Sequence, residues 1–388
     1  MNKNKKIPLS IPNIKGNEWK YVKDCLDTGW ISTAGKYVEM FEDEIKNYLN
    51  AKYTVSTMNG TSALHIALMI NGVKEKDYVI LPNVTFVATA NSVVYNNANP
   101  IFIDVDNDNW QIDIGLLEDF LINYTYMDDN GNCKLKKDNK RIRAIIIVHN
   151  QGNICDIERI IEITKNYNIK VIEDAAEALG STFQNRHAGT FGTVGCLSFN
   201  GNKIISTGGG GMIITNSKKL YQKAKHLVTT AKTNPLDYFH DEVGYNYRLV
   251  NVLAAIGMGQ IEKLNEFVIS KRKIAEHYIK KLTNIGDISF QAINSDVYFN
   301  YWLFTIRTKK RIGLQKYLIS NNIECRPIWT PMNELPMYQN NLYFTKENVS
   351  KTLKNQCLNL PCSTNLSKNC TEEVISKIAN FFSIENYD

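Results

Sequence analysis

The feature that most limits what this chain can fold into is an alternation of short apolar runs with amphipathic stretches, sustained over the first 215 residues. YVILP (Tyr78 to Pro82), PIFIDV (Pro100 to Val105), AIIIVH (Ala144 to His149) and KVIED (Lys170 to Asp174) are short enough for strands and lack a wet face. Strands of that kind suit a parallel sheet covered on both sides. Thr61 to Asn71 and Asp156 to Asn166 lie between them and read as covering helices, the second with Ile157, Ile160, Ile161 and Ile163 along one side. An α/β layer fold with a mainly parallel sheet follows.

After Ser217 the pattern changes. Lys218 to Ala231 and Asn251 to Leu282 read as long helical stretches, followed by an isolated strand, YWLFTIR, and alternating short elements. A boundary near 250 to 265 divides the chain into a large domain over 1–255, N-terminal segment included, and a smaller α+β domain over 256–388. Tyr124 to Lys140 reads as a polar surface insertion. At 388 residues and 44% apolar content the chain can bury one large core or two moderate ones.

Several functions are disfavoured at once. The longest apolar runs fall far short of the roughly 20 residues of a membrane span, and no apolar h-region follows MNKNKK, so a cytoplasmic place is expected. The eight cysteines form no CxxC pair, which predicts free thiols and no metal site. A net charge of +6 is modest for the length, and MNKNKK and KLKKDNKRIR read as a solvated tail and a solvated loop. No nucleic acid is expected, whereas an anionic small substrate suits the charge.

The candidate chemistry lies between these elements. MNGTSALHIAL places Asn59, Gly60, Thr61 and Ser62 at the start of a helix, where N–H groups and hydroxyls can seat a phosphate; the plain alternative is an N-cap. Asp174 ends a buried strand, and ligands collect at the carboxyl ends of strands in open parallel sheets. Here the plain alternative is a helix cap. In SFNGNKIISTGGGGMI, Lys203 stands before four consecutive glycines, Gly208 to Gly211, in a loop too glycine-rich to be a helix. If Gly60 to Ser62 hold a phosphate, Asp174 meets a ring nitrogen and Lys203 reaches an aldehyde, the three describe a site for pyridoxal 5'-phosphate (PLP). The aspartate then keeps the pyridine nitrogen protonated and the lysine supplies the Schiff-base amine. A nicotinamide reading of TGGGG fails because no GxGxxG joins a strand to a helix in a first βαβ unit.

The order NGTSAL, TFVATANSV, EDAAEALGS, SFNGNK, GGGGM, GYNYRL, ECRPIW resembles the DegT-type sugar aminotransferases, PLP enzymes of the aspartate aminotransferase fold (fold type I). The resemblance runs from IPLSIPNIKGNEW to LNLPCS. It implies that Lys203 is the catalytic lysine and that Asp174 faces the ring nitrogen. It also implies that Phe86 stacks on the ring and that Gly60, Thr61, Ser62 and Ser198 hold the phosphate. Glu177 stands where many relatives have glutamine near the phenolic oxygen. Asn246, in GYNYRL, matches an asparagine that reaches the phosphate of a neighbouring subunit, which implies a homodimer with shared sites. Thr33, Arg248, Arg326 and Trp329 are the substrate-binding candidates.

Two further departures stand out: Gly209 replaces a glutamate common in relatives, and Asn333 replaces a histidine after the RP motif. The resemblance implies a ping-pong transfer from L-glutamate to a nucleotide-linked 4-keto-6-deoxyhexose. The combination GNEWKYVKDCLDTGW, SFNGNK, GGGGM and RPIWTPMNELPMY looks most like the legionaminic-acid branch, with a UDP- or GDP-linked 2-acetamido-2,6-dideoxy-4-hexulose as acceptor, in surface glycan synthesis. Other 4-amino sugars, as in perosamine or bacillosamine synthesis, stay open. A PLP-dependent dehydratase of a nucleotide keto sugar on the same fold is the nearest alternative. Those members replace the lysine, and this chain keeps Lys203.

Overall fold

The apolar runs assemble into one eight-stranded sheet. The computed structural model describes residues 6–234 and 236–384, so residues 1–5 of the expected solvated tail lie outside the described residues. Across the sheet the strands are Tyr53–Thr57, Gly211–Thr215, Val194–Ser198, Lys170–Asp174, Ile142–Val148, Tyr78–Pro82, Asn99–Ile103 and Leu342–Phe344. Gly211–Thr215 runs antiparallel to both its neighbours, and the remaining pairings are parallel.

The strands read as wholly apolar because both faces are covered. Ile80, Ile101, Ile145 and Ile147 point into one core with the helices Ile114–Tyr124 and Ile157–Asn166. Val79, Leu81, Phe102 and Ile146 point into the other, with Gly60–Ile70, Val87–Tyr95 and Lys218–Val228. Ile157, Ile160 and Ile163 are buried as the 3.6-residue period requires, and Ile161 is half-buried at the edge of that stripe.

The later part of the chain departs from its sequence pattern in three places. The expected helix from Asn251 to Leu282 is two, Asn251–Ile261 and Leu264–Leu282, turned at Glu262 and Lys263. Neither turning residue is glycine or proline, so composition carries no mark of the break. YWLFTIR contributes only Phe304–Arg307, and that strand is not isolated: it pairs antiparallel with Cys357–Leu360, which also pairs with Arg326–Pro327. Leu342–Phe344 leaves this smaller sheet and adds itself, parallel, to the edge strand Asn99–Ile103. The segment from 124 to 140 is a hairpin of Thr125–Met127 and Cys133–Leu135, whose Lys134 pairs with Asp128 at 3.1 Å. All eight cysteines are free thiols.

The glycine run has a mixed character. Gly208 alone among the four has a left-handed φ, +84°, which turns the chain. Gly211 is demanded by contact instead, since a Cβ there would sit 2.4 Å from the Asn59 carbonyl oxygen and 2.7 Å from the Gly60 nitrogen. At Gly209 the nearest atom to such a Cβ is the Met58 oxygen at 3.7 Å, so a side chain has room. Gly211→Ala is therefore expected to lower stability by about 1–3 kcal/mol, because backbone must move to admit the methyl group. Gly209→Ala should leave the urea midpoint nearly unchanged; equal midpoints for the two variants would refute the packing account.

Candidate active site

The carboxyl ends of the central strands carry the polar residues of the candidate site, as expected for an open parallel sheet. Asp174 closes Lys170–Asp174 and is buried. Its Oδ2 accepts a 2.7 Å hydrogen bond from Thr89 Oγ1, and its Oδ1 accepts one from the Ala176 N–H at 3.2 Å. Thr85 Oγ1 lies 2.8 Å from Thr89 Oγ1, and because Thr89 gives its proton to Asp174, Thr85 is the donor in that pair. Burial raises the Asp174 carboxyl above its ordinary range, opposed by Thr89, the Ala176 N–H, Lys203 and His149. A cation set against this carboxylate would relieve that cost.

Glu173, its neighbour in sequence, points elsewhere. It accepts hydrogen bonds from the N–H groups of Gly189, Phe191 and Gly192 and from His149 Nε2 at 3.0 Å, so its work is to hold loops.

Lys203 lies in a loop closed by Phe199 N–H to the Gly210 carbonyl and Thr207 N–H to the Phe199 carbonyl. The loop is anchored by the fully buried Phe199 ring, edge-on to Phe41 with centroids 5.0 Å apart. Lys203 Nζ stands 3.4 Å from Glu177 Oε1 and 4.0 Å from the centroid of the Trp302 ring. The other Glu177 oxygen accepts the Gln151 N–H at 2.9 Å. Burial pushes the Glu177 carboxyl up to about 7, with Lys203 opposing the rise. The side-chain partner of Glu177 is thus Lys203.

The helix Gly60–Ile70 is capped by Asn59, whose Oδ1 accepts the Ser62 N–H at 2.7 Å. The capping task thus falls to Asn59, and the hydroxyls of Thr61 and Ser62 are not the cap. A Cβ on Gly60 would approach Ser198 Cβ to 2.9 Å, so the helix start and the Ser198 hydroxyl share one small region. First-turn N–H groups and a hydroxyl on a helix N-terminus form an anion seat. Phe86 precedes Val87–Tyr95, three residues from Thr89, and is 54% exposed. Core packing does not account for so exposed a ring.

The remaining candidates are more dispersed. Trp329 is half-buried and parallel to Trp302, with ring centroids 6.1 Å apart, which joins it to the Lys203 group. Arg326 is exposed, in the strand that pairs with Cys357–Leu360. Thr33 is half-buried and adjoins Ala34, which with Trp30, Gly35 and Asn251 bounds an open cavity of about 390 Å³. Asn246 is exposed and bridges Thr229, while the adjacent Tyr247 carbonyl accepts the Met58 N–H at 2.7 Å. Arg248 buries an Nε that has no hydrogen-bond partner among the described residues. Asn333, in place of the histidine of relatives, exchanges two hydrogen bonds with Asn83, at 2.7 and 3.0 Å. Thr89, Gln151 and Trp302 were not among the sequence candidates; Thr89 lies within the TFVATANSV motif, which was the available clue, whereas Gln151 and Trp302 carry no motif signal.

A buried carboxylate, an anion seat and an amine at one sheet edge fit PLP by donor chemistry: phosphate, ring nitrogen and aldehyde each have a partner. The comparison with known proteins gives the same answer. The description of the DegT/DnrJ/EryC1/StrS aminotransferase family matches residues 12–379. The chain belongs to this family. It is 37% identical over 382 residues to a GDP-perosamine synthase of Escherichia coli O157:H7, covering 98% of this chain and 99% of that protein. It is 34% identical to a putative pyridoxal phosphate-dependent aminotransferase, EpsN, of Bacillus subtilis, covering 97% and 96%. A crystal structure of a family aminotransferase from Brucella abortus superposes with a TM-score of 0.88 at 25% identity, covering 94% and 95%. DegT-family aminotransferases are PLP-dependent, and this chain is such an aminotransferase of fold type I. Among the described residues no helix is long and apolar enough to cross a membrane.

Glu177 makes the apoprotein's stability depend on pH in a definite direction. Its folded value, about 7, lies above its ordinary 4.5, so between these limits the folded state keeps a proton that the unfolded chain releases. Stability therefore falls as pH rises through that window. Glu177→Gln should remove the fall and leave the variant more stable than wild type above pH 7, by on the order of 3 kcal/mol, with the gap closing towards pH 4.5. Urea unfolding of both apoproteins across this range checks it, and parallel curves would refute it.

Proposed function

We propose that this aminotransferase carries the amino group of L-glutamate to the C4 keto group of a nucleotide-linked 4-keto-6-deoxyhexose, in the making of an amino or nonulosonic sugar for surface glycans. The observation that carries the reading is the buried Asp174 carboxylate at the end of a central strand, with the Lys203 amine close enough to oppose its upward shift, and the seat that Gly60 forms with Ser198. PLP, when bound, supplies an aldehyde and an electron-withdrawing ring. Asp174 holds a proton on the ring nitrogen, and the hydrogen bonds from Thr89 and Ala176 fix the carboxylate for that task. Gly60, Thr61, Ser62 and Ser198 bind the phosphate, and Phe86 lies against the ring. With the cofactor in place, the Lys203 amine would be the group that carries a proton to and from the substrate carbon. Glu177 is the group beside that amine, near the phenolic oxygen.

The acceptor of the legionaminic-acid branch, a UDP- or GDP-linked 2-acetamido-2,6-dideoxy-4-hexulose, is the finer reading and rests on the motif combination of the sequence. The resemblance to a GDP-perosamine synthase supports a GDP-linked 4-keto-6-deoxyhexose beside it. Thr33, Arg248, Arg326 and Trp329 are the residues proposed to meet the sugar nucleotide, within a two-domain chain divided near residue 255. The proposed assembly is a cytoplasmic homodimer with shared sites. The buried Arg248 Nε, which has no hydrogen-bond partner among the described residues, supports its place among the groups that meet the anionic substrate.

Three measurements test the proposal. Purified protein should take up PLP with a visible absorbance band and aminate one member of a panel of nucleotide keto sugars with L-glutamate; failure on every member would reject the sugar reading. Lys203→Ala should keep the fold and bind PLP while losing at least about a hundredfold in turnover, and Asp174→Asn should also bind PLP but turn over poorly. Heterodimers of Lys203→Ala with Asn246→Asp subunits should regain activity if the site is shared, since one of the two sites then has both residues intact. No recovery in verified heterodimers would reject sharing.

A further inference from the structure

Trp302 has every polar group engaged. Its N–H donates to Asn300 Oδ1 at 2.8 Å and its carbonyl accepts from Lys271 Nζ at 2.8 Å. Its Nε1–H donates to the Asn202 carbonyl at 2.7 Å, the residue just before the site lysine. Lys271 is itself fully buried, with a second bond to the Cys362 carbonyl at 2.8 Å, so a lysine amine in the core backs the tryptophan's main chain. Asn300, also fully buried, donates from Nδ2 to the carbonyls of Glu177 and Leu179 at 2.8 and 2.9 Å. Between them Tyr301 adopts a left-handed φ of +50°, a conformation that a bulky residue keeps only where its surroundings impose it. The three-residue strap 300–302 thus grips the backbone on both sides of the Lys203–Glu177 contact. A tryptophan held only for its apolar surface needs none of these restraints.

We propose that Trp302 is a positioning residue for Lys203: its indole face, 4.0 Å from Nζ, and its tether to the Asn202 carbonyl hold the free amine beside Glu177. The assignment rests on Lys203 being the cofactor lysine. An ammonium is attracted to an indole face, more strongly where water is excluded, and the Lys203 side chain is only 13% exposed. On the other side of the contact stands the Glu177 carboxyl. Asp174 also faces this cluster, with the His149 ring beyond it. When the amine is not bonded to the cofactor, the strap gives it one resting place, from which its reach to a carbon above Asp174 is fixed. The small sheet's side of the protein thereby sets the geometry of a residue that belongs to the large sheet.

The test uses the apoprotein, so it is independent of cofactor chemistry. Lys203 is labelled with formaldehyde and cyanoborohydride at one fixed pH, and its methylation is followed by mass spectrometry of the peptide. Trp302→Leu removes the aromatic face and should raise the labelling rate about 2- to 30-fold, the factor that corresponds to a lost cation–π contact. Trp302→Phe keeps a face and should stay within about twofold of wild type. Equal rates in wild type and Trp302→Leu, or Phe behaving as Leu, would overturn the assignment. A second measurement needs no leucine variant: Lys203→Met should change the tryptophan emission of the wild-type protein and leave that of Trp302→Phe unchanged. Identical responses in both backgrounds would also overturn it. If Lys203→Ala retains turnover, the proposed function fails while the labelling result can still stand; if labelling is unmoved and Lys203 is essential, only the role of Trp302 falls.

Discussion

Withdrawing the Asp174 carboxylate from water at the end of a central strand is the constraint around which the site is built. A buried carboxylate is costly unless it is hydrogen-bonded and faces positive charge. The protein supplies the hydrogen bonds from Thr89 and the Ala176 N–H, and places Lys203 and His149 close enough to oppose the upward shift. What is left is an interior acid whose ionised form is completed by a cation. A pyridinium is such a cation, so the apoprotein carries a site already tensioned toward the protonated ring. The same reasoning covers Glu177, which shares the interior with Lys203 and is lifted to about 7. Two carboxyls buried together keep protons at pH values where isolated carboxyls in water have lost them, and their titrations are coupled.

Much of this could be read from residues. The buried strands announced themselves because a period of two is lost when both faces are covered; such a run ends in two acids, Glu173 and Asp174, and only tertiary contacts separate the loop-holding Glu173 from Asp174. Lys203 was legible only in company, as one lysine among many. Thr89, Gln151 and Trp302 were not legible, because each acts through a tertiary contact: Thr89 reaches a strand 85 positions away, and the Trp302 Nε1–H reaches a carbonyl 100 positions away. The break at Glu262 and Lys263 escaped for a different reason, since both residues have backbone angles that a helix tolerates and only the packing of the two helices turns the chain. Leu342–Phe344 is short and half-buried, and nothing in three residues tells which sheet they will join.

The departures from relatives have contrasting physical standing. Asn333 is absorbed into a reciprocal amide pair with Asn83, which closes off any role that a histidine there would have as an acid or base. Gly209 is not required by space, so the loss of a glutamate there is a loss of charge rather than a steric necessity. Glu177 alters the chemistry most, because it puts a titratable group where an amide would be neutral at every pH.

The addition of Leu342–Phe344 to the edge of the main sheet has a meaning for how the chain comes off the ribosome. Asn99–Ile103, the strand it covers, carries the fully buried Ile101, Phe102 and Ile103. Until residue 344 has emerged, that strand presents an apolar edge with a row of unpaired amides, a surface that invites pairing with another nascent chain. Residues 104 to 341 are made before the edge is covered. A chain still in synthesis therefore carries this strand without its neighbour, open to pairing with a copy beside it.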